Sequence, residues 1–134
     1  MNKKKSTEHQ SPDPDWMEQW LRDFFLDPHT EYEDNAIFKI DIYETDDHWI
    51  VEVVLQDYAS SEIKVKVENS KLIISAQKQN HSPLTSFPKK ERIIDFPFVI
   101  IRHGVTAVFQ NGLLEIFITK AENGSGKNRY IPLP

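Results

Sequence analysis

Asn111-Gly112 stands between two runs of alternating apolar residues, Val105 to Phe109 before it and Leu114 to Ile118 after it. A type I′ turn needs positive φ at both central residues, and Asn-Gly accepts this readily, so the pattern predicts a β-hairpin. Successive side chains on a strand point to opposite faces, which groups Val105, Ala107 and Phe109 on one strand and Leu114, Ile116 and Ile118 on the other. The hairpin specifies β-sheet and no chemistry; an ordinary core hairpin accounts for it.

The preceding segments repeat the theme. Phe38, Ile40 and Ile42 alternate with Lys39, Asp41 and Tyr43, a polar turn follows at residues 44–48, and Trp49 to Leu55 is almost continuously apolar. The first alternation predicts a half-buried strand and the second a central strand with both faces partly covered. Ile63, Val65 and Val67 alternate with Lys64, Lys66 and Glu68, and Asn69-Ser70 turns the chain into Leu72, Ile74 and Ala76, a second hairpin. Residues 77–90 are polar and carry Pro83 and Pro88, after which Arg92 to Phe96 reads as a short strand ended by Pro97. Phe98-Val-Ile-Ile101 then continues the apolar run where a connection is usually polar. It is either a buried crossover or an exposed patch, and burial within an assembly is the reading taken. About seven short strands separated by turn signals, with no helix among them, predict an all-β chain folded as a β-sandwich.

Both ends differ in character. Residues 1–12 are polar and aperiodic, as in a disordered arm. Asp13-Pro14 then precedes Trp16, Met17, Trp20, Leu21, Phe24 and Phe25, whose spacing forms one helical stripe and predicts a short amphipathic helix over about 14–26, ending near Asp27-Pro28. So short a helix is marginal in water unless its stripe is buried. The stripe either docks on its own sheet or is an adhesive surface for another subunit or for unfolded protein. At the other end, residues 121–129 have the composition of a flexible linker and lead into Tyr130-Ile-Pro-Leu-Pro134. Apolar residues flanking a proline suit a docking peptide, or a last segment folded onto its own domain. The expected organisation is an arm over 1–36, a domain over 37–120 and an extension over 121–134.

Composition excludes several functions. A chain of 134 residues without cysteine has neither a disulfide framework nor a thiolate metal site, and its length suffices for one domain core. No run is apolar for a bilayer span, the N-terminus lacks an apolar leader, and Lys3 to Lys5 read as a solvated tail, so neither membrane attachment nor secretion by the general route is expected. A net charge of −5 repels a phosphate backbone and argues against nucleic acid. The five histidines are scattered without metal-ligand spacing, no glycine-bracketed nucleophile is present, and four glycines build no phosphate loop. No catalytic, cofactor-binding or metal-binding residue is expected, and the chain does not read as an enzyme.

The ordered set of features resembles the α-crystallin domain of small heat shock proteins, an immunoglobulin-like β-sandwich. Ala107-x-x-x-Asn111-Gly112-Leu113-Leu114 is similar to the family signature Ala-x-x-x-Asn-Gly-Val/Ile-Leu. Asp41 to Asp47 with Trp49-Ile-Val-Glu52 resembles the domain's opening, Glu62 to Val67 its groove strand, Arg92 and Phe96-Pro97 its arginine and Leu-Pro step, and Ile131-Pro-Leu133 its Ile-x-Ile/Val tail motif. The resemblance covers residues 37–134. It implies an ATP-independent holdase of the Hsp20 type, a stress-response chaperone that works as a homo-oligomer on unfolded client proteins in the cytoplasm. Ile131 and Leu133 would anchor in an acceptor groove on a neighbouring subunit formed by Ile63, Val65, Val67, Val105, Ala107 and Phe109. Trp16, Met17, Trp20, Leu21, Phe24 and Phe25 would form the client or assembly surface, and Arg92 is a candidate dimer-interface residue.

Three features depart from the pattern. Leu55-Gln56-Asp57 replaces Leu-Pro-Gly, which implies a looser turn; the connection from Lys78 to Arg92 is short for subunits that exchange a strand; and Phe98 to Ile101 replaces a charged segment. With the compact aromatic arm, these resemble the spore-coat-associated branch of Bacillus-type bacteria. Its implied role is structural assembly with other coat proteins in the spore coat, during sporulation.

Overall fold

In the computed structural model, which describes residues 16–26, 38–79 and 89–133, the alternating runs form strands β1 (Ile40–Glu44), β2 (His48–Val54), β3 (Ile63–Glu68), β4 (Lys71–Ala76), β5 (Lys90–Asp95), β6 (Val105–Gln110), β7 (Leu113–Thr119) and β8 (Arg129–Ile131). Two antiparallel sheets result, in the orders β1-β2-β7-β6 and β5-β4-β3-β8. The expectations for the arm before Trp16, for Pro28 and for the connection 80–88 lie outside the described residues. The chain divides into two units, residues 1–32 and 33–134.

Asn111 (φ 54°) and Gly112 (φ 78°) make the turn between β6 and β7, which sets Ala107 opposite Ile116 and Phe109 opposite Leu114. β2 is central, between β1 and β7, and Val51 and Val53 are fully buried. Its other face is covered in part, since Ile50 is buried while Val54 is exposed. The first sheet contributes Val51, Val53, Leu114, Ile116 and Ile118 to the core, and the second Val65, Val67, Leu72, Ile74 and Ile94. Fully burying one such side chain stabilises by about 1.5–3 kcal/mol.

Two connections differ from expectation. Leu55 to Tyr58 closes a hydrogen-bonded turn, in which the Tyr58 N–H donates to the Leu55 carbonyl at 3.2 Å, so the segment without Pro-Gly is not loose. The Leu55 N–H donates to the Gly112 carbonyl at 2.8 Å and ties this turn to the hairpin. Phe98 to Ile101 is buried largely within its own chain rather than awaiting an assembly. Ile100 and Ile101 sit inside a 3-10 turn (Ile100–Arg102), only Val99 is exposed, and the Phe98 ring lies 4.5 Å from that of Trp49. The apolar residues close the sandwich at the end where a polar loop would leave it open.

In the other unit, helix α1 runs from Trp16 to Leu26. Trp16, Trp20 and Leu21 are half-buried, Met17 is buried, and Gln19 and Arg22 are exposed, in keeping with an amphipathic stripe. The Trp16 and Trp20 rings lie 6.3 Å apart, one helical turn along. The side chains of Phe24 and Phe25 lie outside the described residues.

On the outward face of the first sheet the Tyr43 hydroxyl donates to Glu52 Oε2 at 2.7 Å. That hydrogen bond first, then slight desolvation and the negative charges of Glu52 and Glu115, push Tyr43 from its ordinary 10 up to about 12. The neutral phenol is the favoured form, so the stabilisation is complete below pH about 10 and is lost as pH rises towards 12. Ultraviolet titration of the four tyrosines should therefore show one late component. Tyr43→Phe should remove that component; if it persists, the assignment is wrong.

Candidate functional site

The groove and tail residues singled out from the sequence meet along one edge of the sandwich, whereas Arg92 on β5 does not join them and the aromatic stripe belongs to the other unit. β3 turns Ile63, Val65 and Val67 inward and Lys64, Lys66 and Glu68 outward, as its period of two requires. β6 turns Val105 and Ala107 inward, with Phe109 half-buried. β4 pairs with one side of β3, and the short strand β8 pairs with the other, matching Val65 with Ile131, Lys66 with Tyr130 and Val67 with Arg129. β8 also touches β6, so it lies over the seam between β3 and the edge strand β6.

Seated there, Ile131 is buried. Pro132 has no N–H and ends the ladder, and continuing the register sets half-buried Leu133 across from Ile63. The tail motif therefore lies against the groove of its own chain, the second of the two placements its composition left open. Tyr130 points outward, 63% exposed, with Lys66 Nζ 5.4 Å from its ring centre. Lys66 also pairs with Glu68 at 3.0 Å, and that hydrogen bond raises its pKa; so exposed a pair contributes little to stability.

Burying Ile131 contributes about 1.5–3 kcal/mol, whereas fixing the backbone of each tail residue costs about 1–2 kcal/mol. A three-residue strand on this balance needs further contacts. They come from residues 121–129, which composition reads as a flexible linker. The Gly124 N–H donates to the Arg102 carbonyl and the Gly126 N–H to the Ile101 carbonyl, both at 2.9 Å. The Asn128 side-chain oxygen accepts from the Asn69 N–H at 3.0 Å. Arg129 Nη1 donates to the Ile101 carbonyl at 3.2 Å and Nη2 to the His103 carbonyl at 3.0 Å. Glycine suits both a mobile linker and a close backbone approach, and here a Cβ on Gly124 would fall 2.2 Å from the His103 oxygen.

The turn that receives these contacts is itself fixed. His103 is buried between Trp49 and Phe98, with ring centres at 5.5 and 5.2 Å, and its Nδ1 lies 2.9 Å from the Thr119 carbonyl. A carbonyl only accepts, so Nδ1 carries the proton. Periodicity assigned His103 to a loop; its burial follows from the apolar run ahead of it. Arg92, the candidate interface residue, lies on the inward face of edge strand β5 opposite Ile74 with 3% of its surface exposed. The aromatic stripe of α1 belongs to the other unit. Among the described residues no group of three histidine or carboxylate side chains could hold a metal ion. No described helix is long and apolar enough to cross a membrane.

β3, the edge strand β6 and the tail strand β8 together enclose an apolar seam in which Ile131 is buried. Residues 42–118 match the GerT C-terminal domain family. Small heat shock protein C2 of Rickettsia felis is 30% identical over 115 residues, covering 78% of this chain and 75% of that protein. Spore coat protein M of Bacillus subtilis is 26% identical over 129 residues, covering 96% of this chain and 92% of that protein. Heat shock protein 16.0 from Schizosaccharomyces pombe superposes with a TM-score of 0.53 at 25% identity, over 69% of this chain and 94% of that structure. The chain belongs to the small heat shock protein family, and the two sheets are those of its α-crystallin β-sandwich.

Proposed function

We propose that the protein is an ATP-independent holdase that works as a homo-oligomer, binding unfolded protein through the β3 edge and the aromatic stripe of α1. The observation that carries this reading is Ile131 seated on β3, a segment of extended apolar chain held by backbone pairing with its side chain buried in the seam. Backbone pairing is indifferent to sequence and apolar pockets are only mildly selective, which suits a binder of many unfolded chains. In the oligomer the same contact would be made between subunits, Ile131 and Leu133 of one on Ile63, Val65, Val67, Val105, Ala107 and Phe109 of the next. Such head-to-tail contacts need not close and so build particles or layers. The outer edge of β5, which Arg92 backs from its inward face, would make a second, dimer-forming contact.

One observation favours a second reading. The similarity to spore coat protein M runs through 96% of this chain, beyond the sandwich itself. On that reading the protein is a structural component of the spore coat, with other coat proteins as partners and polymerisation as the purpose; on the first it acts in the cytoplasm. Heating a thermolabile enzyme with equimolar purified protein and following light scattering separates them. A holdase suppresses the scattering at about one subunit per client. Undiminished scattering at every ratio would overturn the holdase reading in favour of the coat.

A further inference from the structure

The tail rests on its own groove through contacts lying outside both the groove and the Ile-Pro-Leu motif. Gly124, Gly126 and Arg129 converge on the three carbonyls of Ile101, Arg102 and His103, while Asn128 reaches the turn between β3 and β4 at Asn69. Arg129 Nη1 also donates to the Lys127 carbonyl at 3.0 Å, folding the guanidinium back over its own chain. The receiving turn cannot retreat. Ile100 and Ile101 are buried, and the Ile101 N–H donates to the Asn69 carbonyl at 3.2 Å. The residue leaving it is stapled to the end of β7, where Thr119 Oγ1 accepts from the Gly104 N–H and donates to the Ala121 carbonyl.

We infer that residues 124–129 form a latch that holds the tail on its own subunit and so closes the groove to the tail of a second copy of this chain. The latch rests on the reading of the groove as the acceptor of Ile131 and Leu133. It acts through local concentration: a tail tethered beside its own groove competes with any incoming tail, and the hydrogen bonds to residues 101–103 raise the fraction of time it is home. Assembly by tail exchange then depends on opening the latch, and the latch residues set the balance between a self-capped subunit and a linked one. Three carbonyls converge on this contact, two of them bonded to one guanidinium, which lysine cannot reproduce with a single ammonium.

The test uses the full chain and a labelled synthetic peptide of residues 127–134, Lys-Asn-Arg-Tyr-Ile-Pro-Leu-Pro, with binding read by fluorescence anisotropy. Gly124→Ala with Arg129→Ala opens the latch and leaves every groove residue in place; Ile131→Asp empties the groove directly. Circular dichroism checks folding, and Arg129→Ala alone serves if the double variant does not fold. The expected result is that the latch variant and Ile131→Asp both bind the peptide at least tenfold more tightly than the wild type. Equal binding by wild type and latch variant while Ile131→Asp binds tightly overturns the latch. Absence of binding to all three overturns the groove reading beneath it.

Discussion

Ile116→Ala should destabilise the sandwich by about 3–4 kcal/mol, the loss expected when a large side chain leaves a cavity that its neighbours fill only in part. Ile116 has no exposed surface and is flanked in its sheet by Val51 on β2 and Ala107 on β6. Ala107 is already small, so that side has nothing to move into the space. A domain of this size is stable by about 5–15 kcal/mol, so the substitution removes a large part of the margin. Urea unfolding at one fixed subunit concentration reads it as a lower midpoint with unchanged slope; the fixed concentration matters because association contributes to apparent stability. Val108→Ala is the partner measurement. Val108 is opposite Glu115 on the outward face and 39% exposed, so its loss should cost about 1 kcal/mol at most. A reversed order of the two effects would mean that the faces of the hairpin are assigned the wrong way round.

The parts of this structure governed by period and turn chemistry were legible from the residues alone. Val105, Ala107, Leu114 and Ile116 face the core because a period of two allows no other placement once Asn111-Gly112 sets the register. β2 was readable as central because an apolar residue on each face needs cover on both sides. What escaped depends on contacts between segments far apart in the chain. Gly124 and Gly126 suggest freedom by composition, yet Gly124 is needed for the close approach of its backbone to residues 101–103 and Gly126 for its φ of 76°, and the carbonyls of residues 101 and 102 that their N–H groups reach are partners that no local pattern names. The Phe98 to Ile101 run announced burial without saying where, and the 3-10 turn that hides it is a tertiary fit against β3. For the groove, the resemblance to the α-crystallin domain supplied the residues of both walls and of the tail. On the latch proposal, which chain's tail fills it is a question of linker geometry, set by Gly124, Asn128 and Arg129 rather than by the motif itself.

Gly112→Ala should cost about 2–4 kcal/mol, more than a glycine-to-alanine change at an ordinary exposed turn. Two effects add. At φ 78° an L side chain is strained against its own backbone, a cost of about 1–2 kcal/mol. The added Cβ would also fall 2.9 Å from Gln56 Cα, a backbone atom of the Leu55 to Tyr58 turn, which the Leu55 N–H bond to the Gly112 carbonyl holds in place. Gln56→Gly in the same chain would clear the nearby Cγ at 2.8 Å but leave the Cα, so it should restore only part of the loss. Asn111→Gly tests the other half of the turn. Glycine accepts φ 54° without strain, so that variant should lie within about 1 kcal/mol of the wild type by urea unfolding. Together the three variants separate torsional strain from the steric contact. If Gly112→Ala unfolds within about 0.5 kcal/mol of the wild type, the two turns do not meet as described. The consequence reaches the groove, because this turn sets the register that turns Val105 and Ala107 towards the tail strand and Val108 away from it.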